Sequence, residues 1–190
     1  VMDPRALASE QLRSGERLLW VGQSDPRVLL TGRDGFLIPF SLLWCGIVMF
    51  TMVPETVAEG PSFVLVLSSV FVLIGLHMLV GRFLVKRHRK RTEVYAVTDR
   101  RVFVTNGRST RETDVRRTDR SVHWSRGRDH CSVQWETGNS GARAFFGTNN
   151  AQAIYANTGL DGFFGPRSTA FWDVPDGQAM MSALDEASAR

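Results

Sequence analysis

The sequence predicts an α+β protein: a two-helix transmembrane hairpin, then a small antiparallel β module closed by a C-terminal helix. Three observations predict it. Phe36 to Val53 and Phe63 to Val80 are apolar runs of eighteen residues each, the first without a charge and the second with His77 as its only ionisable group. Beyond residue 92 the pattern changes to short alternating runs separated by turn residues, the mark of antiparallel strands. The last twenty residues place Met180, Met181, Leu184 and Ala187 at helical spacing.

At 1.5 Å rise per residue each apolar run reaches roughly 27 Å, close to the hydrocarbon thickness of a bilayer. Two such runs in tandem are read most simply as spans at 36–53 and 63–85 joined by an external turn, 54–62. Arg5, Arg13, Arg17, Arg27 and Arg33 precede the first span. The turn carries only Glu55 and Glu59, and Arg82, Lys86, Arg87, Arg89, Lys90 and Arg91 follow the second span. By the positive-inside rule both termini are cytoplasmic. The remaining residues suffice for one compact domain, expected over 92–190, with 1–35 as a cytoplasmic helix and strand. The opening segment is mixed polar, so no secretory signal is expected there.

In chain order, residues 6–14 predict a short helix ending near Gly15, and 17–22 a strand stopped by the turn at 24–27. Pro39 is expected in the first turn of its span, where a missing N–H does little harm. Gly46, Ser68, Ser69 and Gly75 are small enough to let the two spans approach closely. His77 stands without an intramembrane acid to relay a proton, so transport chemistry is not indicated. Val94 and Ala96 share one strand face, and Val102 to Val104 begin the next strand. Asn106-Gly107 is a two-residue hairpin signal. Further strands are expected at 120–125, 130–136, 142–146 and 170–174. In 130–136, Cys131, Val133 and Trp135 share one face. Asp173 is the expected N-cap of the last helix, with Pro175 in its first turn. Residues 147–169, rich in Gly, Asn and Thr, give no clear element.

Some of these motifs are specific. Tyr95-Ala96-Val97-Thr98-Asp99-Arg100-Arg101 forms a Tyr-x-x-Thr-Asp-x-Arg pattern just after the hairpin. Gly15 to Gly22, GERLLWVG, opens the chain's first strand, and Phe171-Trp172-Asp173-Val174 precedes the last helix. On these residues the chain resembles bacterial membrane proteins carrying a pleckstrin-homology-like domain, over nearly its whole length. Ser24 departs from the pattern, standing where such proteins often have Pro. The resemblance implies a bacterial plasma-membrane protein whose PH-like module is a partly open β-barrel or sandwich capped by its C-terminal helix. It implies no settled activity. Thr98 and Asp99 suit a tight turn, their side chains bonding backbone N–H groups.

Charge narrows the functional classes. Residues 82–128 hold 15 of the 23 Lys and Arg, which would turn that half toward anionic lipid or an acidic partner. Lys86, Arg87, Arg89, Lys90 and Arg91 have two readings, a topogenic stop signal and attraction to anionic headgroups, and only the first is needed. Arg108, Arg111, Arg116, Arg117 and Arg120 are the best further candidates for phosphate contacts. The expected role is therefore a non-catalytic membrane-anchored module binding anionic lipid headgroups. The alternative is a scaffold that self-associates or holds a membrane-protein partner. Catalysis is not expected: His123, His130 and Cys131 are the obvious candidates, but neighbours in a strand point to opposite faces, and no catalytic or nucleotide motif occurs. No cofactor, metal or nucleic-acid partner is expected.

Overall fold

The computed structural model describes residues 3–32, 34–52, 54, 63–117, 119–135, 156–160 and 167–189. The chain divides into two compact units: Val1–Val28 with His88–Phe146 and Pro166–Arg190, and Leu29–Arg87 with Gly147–Gly165. The class is α+β, with two apolar helices and two antiparallel sheets.

The first unit opens with α1, Pro4–Ser9. It starts before the expected boundary because Asp3 caps it, accepting the Arg5 N–H at 3.0 Å, and Pro4 needs no donor there. It ends early because residues 11–16 are drawn into the polar cluster around Arg101 described below. Strands β1 (Leu18–Gln23), β2 (Val94–Thr98), β3 (Arg101–Thr105) and β4 (Thr110–Asp114) form one sheet in that order. The β3–β4 turn is shifted by one residue from the sequence expectation. Asn106 N–H pairs with Ser109 O at 3.3 Å, leaving Gly107 and Arg108 at the centre. The Asn106 side chain causes the shift by accepting the N–H groups of Arg108 and Ser109 at 3.0 and 2.8 Å. Gly107 supplies the positive φ, 80°, that the turn requires.

Strands β2 and β3 are buried at every position, because both faces of the sheet are covered. Tyr95, Val97, Val102 and Val104 face the main core, while Val94, Ala96 and Phe103 pack under Leu7 and Ala8 of α1. Strands β5 (Arg120–Trp124), β6 (Cys131–Trp135) and β7 (Ala170–Val174) form a second sheet in that order. Strand β6 alternates as its sequence requires, with Cys131, Val133 and Trp135 inward. The strand expected at 142–146 lies outside the described residues, as does most of 147–169.

The two sheets do not close into a barrel among the described residues. After β4 the chain turns, with Arg116 N–H on Asp114 Oδ1 at 2.8 Å and Val115 tucked into the core, so β5 leaves the β4 ladder. Helix α5, Gly177–Ser188, buries Met180, Ala183, Leu184 and Ala187 against the same core. It begins later than expected. Asp176, not Asp173, precedes it, because the Asp173 carboxylate is engaged elsewhere.

In the second unit α2 (Asp34–Ile47) continues through a π-helical turn, Val48–Met52. Thr31 and Asp34 tie its start: the Asp34 carboxylate accepts the Thr31 N–H at 2.6 Å and the Thr31 hydroxyl at 2.8 Å, while the Asp34 N–H donates to Thr31 O at 2.9 Å. Because the helix begins at Asp34, Pro39 falls in its interior rather than its first turn, and the Gly35 carbonyl loses its usual donor. Helix α3 (Phe63–Leu76) continues through a second π-helical turn, His77–Gly81, into α4, Arg82–Thr92. The two helical segments are long and apolar enough to cross a membrane. They touch where Gly75 meets Cys45 and Trp44, and the Trp44 and Phe71 rings lie 5.7 Å apart. Gly46, expected to serve the same purpose, faces open space. Apolar side chains such as Leu43, Phe50, Phe63 and Leu73 are 63% exposed or more.

The main core is centred on Phe171, which stacks on Tyr95 at 4.9 Å, meets Trp135 edge-on at 5.2 Å and touches Trp20 at 6.1 Å. Phe171→Ala is expected to destabilise the first unit by about 3–5 kcal/mol, since it removes a fully buried ring shared by both sheets. Denaturant titration followed by tryptophan fluorescence measures this; a loss below about 1 kcal/mol would contradict the central placement of the ring.

Candidate functional site

The basic run after the second apolar segment divides into two faces of α4. Lys86 and Lys90 are buried, at 3% and 4% exposure, whereas Arg87, His88 and Arg91 are exposed and Arg89 is half-buried. The division follows from helical spacing: Arg82, Lys86 and Lys90 recur every four residues and share one face.

Each buried cation has acceptors from the segment just before α2 or from within its own unit. Lys86 Nζ donates to Leu29 O at 2.6 Å. Lys90 Nζ donates to Val28 O at 2.6 Å, Asp25 O at 3.2 Å and the Asp173 carboxylate at 2.6 Å. Burial lowers the Lys90 pKa, and Asp173 and Asp25 counter that shift. Asp173 sits at φ 49°, a strained conformation for a non-glycine residue. It is held from three sides: its N–H donates to Ser132 Oγ at 2.9 Å, its carbonyl accepts the Asp25 N–H at 3.0 Å, and its carboxylate takes Lys90. Asp25 completes the cluster through His130 Nε2 at 3.1 Å.

The second polar cluster is built on the Thr98–Arg101 turn. Arg101 Nε and Nη2 clasp the Glu16 carboxylate at 2.8 and 3.0 Å, Nη2 also reaches Gln11 O at 2.7 Å, and Nη1 pairs with Glu112. The Thr98 hydroxyl accepts the Arg101 N–H at 3.1 Å and lies 2.7 Å from Glu16 Oε1. Asp99 Oδ1 accepts the Arg17 N–H at 3.0 Å, while Arg100 is exposed. Burial by itself would raise the Glu16 pKa. Hydrogen bonds from Arg101, the Arg13 N–H and Thr98 prevail and hold the carboxyl down at about 2. The Tyr95 hydroxyl, buried beside Ser24 and the Trp172 carbonyl, has its pKa pushed up by desolvation. Thr98, Asp99 and Arg101 therefore tie the β2–β3 turn to the chain before β1.

The other arginines separate in the same way. Arg111 pairs with Glu93 at 3.0 Å, and Arg167 reaches the same carboxylate at 2.9 Å. Arg117 pairs with Asp119, and Arg120 with Asp185 at 2.8 Å. Arg87, Arg91, Arg108 and Arg116 are exposed and have no side-chain partner among the described residues. Cys131 points into the core, where burial pushes its thiol pKa up and away from the reactive thiolate. His123 is exposed on β5. No group of three metal-ligating side chains occurs among the described residues. Sequence reasoning missed Glu16, Asp25 and Asp173 as partners of buried cations. The four-residue spacing of Arg82, Lys86 and Lys90 was the one signal able to divide the basic run.

Two consequences are measurable. Glu16 is depressed from 4.5 to about 2, so its stabilisation is present above pH 4.5 and lost as pH falls through 2. The loss is on the order of 3 kcal/mol, and Glu16→Gln abolishes that acid limb in denaturation experiments run across this range. Lys90→Met removes the ammonium that bridges the half-buried Asp173 carboxylate and two carbonyls and is expected to cost about 3–5 kcal/mol. Arg91→Gln, one residue along on the exposed face, is expected to change stability by less than about 0.5 kcal/mol. Equal effects of the two substitutions in thermal unfolding would contradict the division of the run.

No protein-family model, curated protein or solved structure matches this chain.

Proposed function

We propose that this is a membrane-anchored, non-catalytic binding module whose cytoplasmic part engages anionic lipid headgroups. The apolar surface of the two long helices supports insertion as a hairpin in a plasma membrane, with both termini cytoplasmic by the distribution of Arg and Lys. A soluble protein would not leave so many large apolar side chains of two neighbouring helices in water. The bacterial PH-like resemblance agrees with this arrangement and adds no activity of its own.

The observation that carries the lipid reading is that four of the expected phosphate contacts, Arg87, Arg91, Arg108 and Arg116, are exposed with no side-chain partner among the described residues. Lys86 and Lys90 leave the candidate set, because their ammonium groups are used inside the protein. Each exposed arginine near an anionic surface contributes about 1 kcal/mol, screened by salt. A second reading, a scaffold that binds a protein strand, draws on β1. That edge strand lines a cleft with Leu18, Leu19, Trp20 and Val21, rimmed by Asp3, Arg5 and Asp176.

The test is reconstitution of the full chain into nanodiscs from a lipid pool with a limiting anionic fraction, followed by lipid analysis of the purified discs. Enrichment of the anionic lipid, lost when Arg87, Arg91, Arg108 and Arg116 are all replaced by Gln, supports lipid binding. Lipid composition equal to the pool for both proteins would sink that reading and favour the scaffold.

A further inference from the structure

The connection between β5 and β6 is exposed from Trp124 to Asp129. Of the five tryptophans only Trp124 is exposed, at 40%, and it ends β5. Arg126 and Arg128 follow it, both without a side-chain partner among the described residues, with Asp129 as the one acid of the tip. The backbone of the tip is closed. Arg128 N–H donates to Ser125 O at 2.9 Å, Ser125 N–H to His130 O at 2.9 Å, and His130 N–H to Ser125 Oγ at 3.1 Å. Arg128 sits there at φ 58°, in the left-handed region, directly after a glycine at 127. A side chain in that conformation costs energy that glycine would avoid, and strain of this kind gathers at functional sites. No hydrogen bond or ion pair of the Arg128 side chain among the described residues offsets it.

The strand register fixes where this tip lies in the first unit. Gln23 pairs with Val94 and Val94 with Thr105, so the end of β1, the start of β2 and the β3–β4 turn share one end of their sheet. Trp124 pairs with Cys131 and Cys131 with Val174, which sets the β5–β6 hairpin beside the end of β7. Asp25 joins the two ends: its N–H donates to Asp173 O at 3.0 Å and its carboxylate meets His130 Nε2 at 3.1 Å. The chain leaves this unit after Val28 and returns at His88, and Lys90 Nζ on Val28 O holds the two passages together at 2.6 Å. The tip therefore lies at the end of the unit through which the chain runs to and from the apolar helices. Arg108, in the β3–β4 turn, adds positive charge at the same end.

We infer that the β5–β6 hairpin docks on the bilayer surface, with Trp124 at the level of the headgroups and Arg126 and Arg128 on phospholipid phosphates. A tryptophan suits that boundary because its ring is apolar and its N–H polar, and a guanidinium holds phosphate oxygens through two donors. The bilayer is the partner that the chain path supplies, since the apolar helices depart from the end of the unit that carries the tip. Docking of the hairpin rests on the membrane reading above but uses none of the four arginines assigned there.

The experiment uses the full chain in nanodiscs of phosphatidylcholine and phosphatidylglycerol in equal parts, with or without bromine near the headgroup end of the acyl chains. Bromine quenches only the tryptophans that reach it. The difference between each protein and its Trp124→Phe counterpart gives the emission of Trp124. The difference for Trp44→Phe, inside α2, reports insertion by itself. Trp124 emission is expected to fall in the brominated discs. Each arginine at an anionic surface is worth roughly fivefold, so replacing Arg126 and Arg128 by Gln is expected to lower the docked-to-free ratio roughly 25-fold and restore most of that emission. Arg128→Gly removes the cation and relieves the left-handed position. It is expected to unfold at no lower a temperature than wild type, yet to recover part of the Trp124 emission. Unquenched Trp124 beside quenched Trp44 overturns the docking and leaves the membrane reading standing, whereas two unquenched rings overturn both. Quenching that survives the loss of both arginines, or an Arg128→Gly chain that unfolds at a lower temperature, also overturns the docking.

Discussion

A cation taken out of water must be given back, inside the protein, most of what water supplied. That constraint organises the first unit and the end of the apolar helix alike. Lys90 receives two carbonyls and a carboxylate, Lys86 a carbonyl, and Arg101 two carboxylates and a carbonyl. All of these acceptors but Glu112 lie far away in sequence, so satisfying the cation fixes the path of the chain. The turn after β1 lies where Lys90 can reach its carbonyls. The stretch before β1 lies where Glu16 and Gln11 can reach Arg101. Buried ion pairs are weak as sources of net stability but costly to break, and that asymmetry makes them specifiers of one arrangement.

The same constraint explains why so basic a region presents few free charges. Between Arg82 and Arg120 seven of the thirteen Lys and Arg side chains are committed to carbonyls or to Glu16, Asp34, Glu93, Glu112, Asp119, Asp173 and Asp185. What remains for a partner is a minority of arginines on loops and on one helix face. Net charge therefore overstates the ligand-binding capacity of the region. The chemistry left at the surface is guanidinium, suited to phosphate and carboxylate oxygens. The histidine and cysteine of the 130–131 dipeptide are used for structure, one against Asp25 and the other in the core.

Much of the architecture was legible because it depends on local period. The apolar runs, the alternation of 131–135, the strand at 170–174 and the packing face of the last helix all follow from spacing within one element. Turn chemistry was legible to within one residue. Asn106-Gly107 correctly marks the β3–β4 turn, yet the Asn106 side chain claims two following N–H groups and moves the centre onward. Helix ends were less legible. Asp173 has the composition of an N-cap, but a distant lysine competes for its carboxylate, and α5 begins later. Pro39 reads as a first-turn proline only if the hydrogen bonding of Thr31 with Asp34 is unknown.

By itself the sequence determined the class of the protein, the two membrane-length helices, the strands that alternate and the helix that caps them, because each of these is decided by neighbours a few residues apart. Only the tertiary structure decided which charges are internal. Taken singly, Lys86, Lys90 and Arg101 are cations like Arg87, Arg91 and Arg100, beside which they stand, and only the four-residue spacing of Lys86 and Lys90 sets those two apart. Their roles differ because acceptors from other parts of the chain arrive on one side of a helix or turn and not on the other. The tertiary structure also decided that, among the described residues, β4 and β5 do not share a ladder, with the buried Val115 and the turn around Asp114 between them. Local spacing carries period, whereas desolvation depends on everything that surrounds a group, and only the folded chain supplies those surroundings.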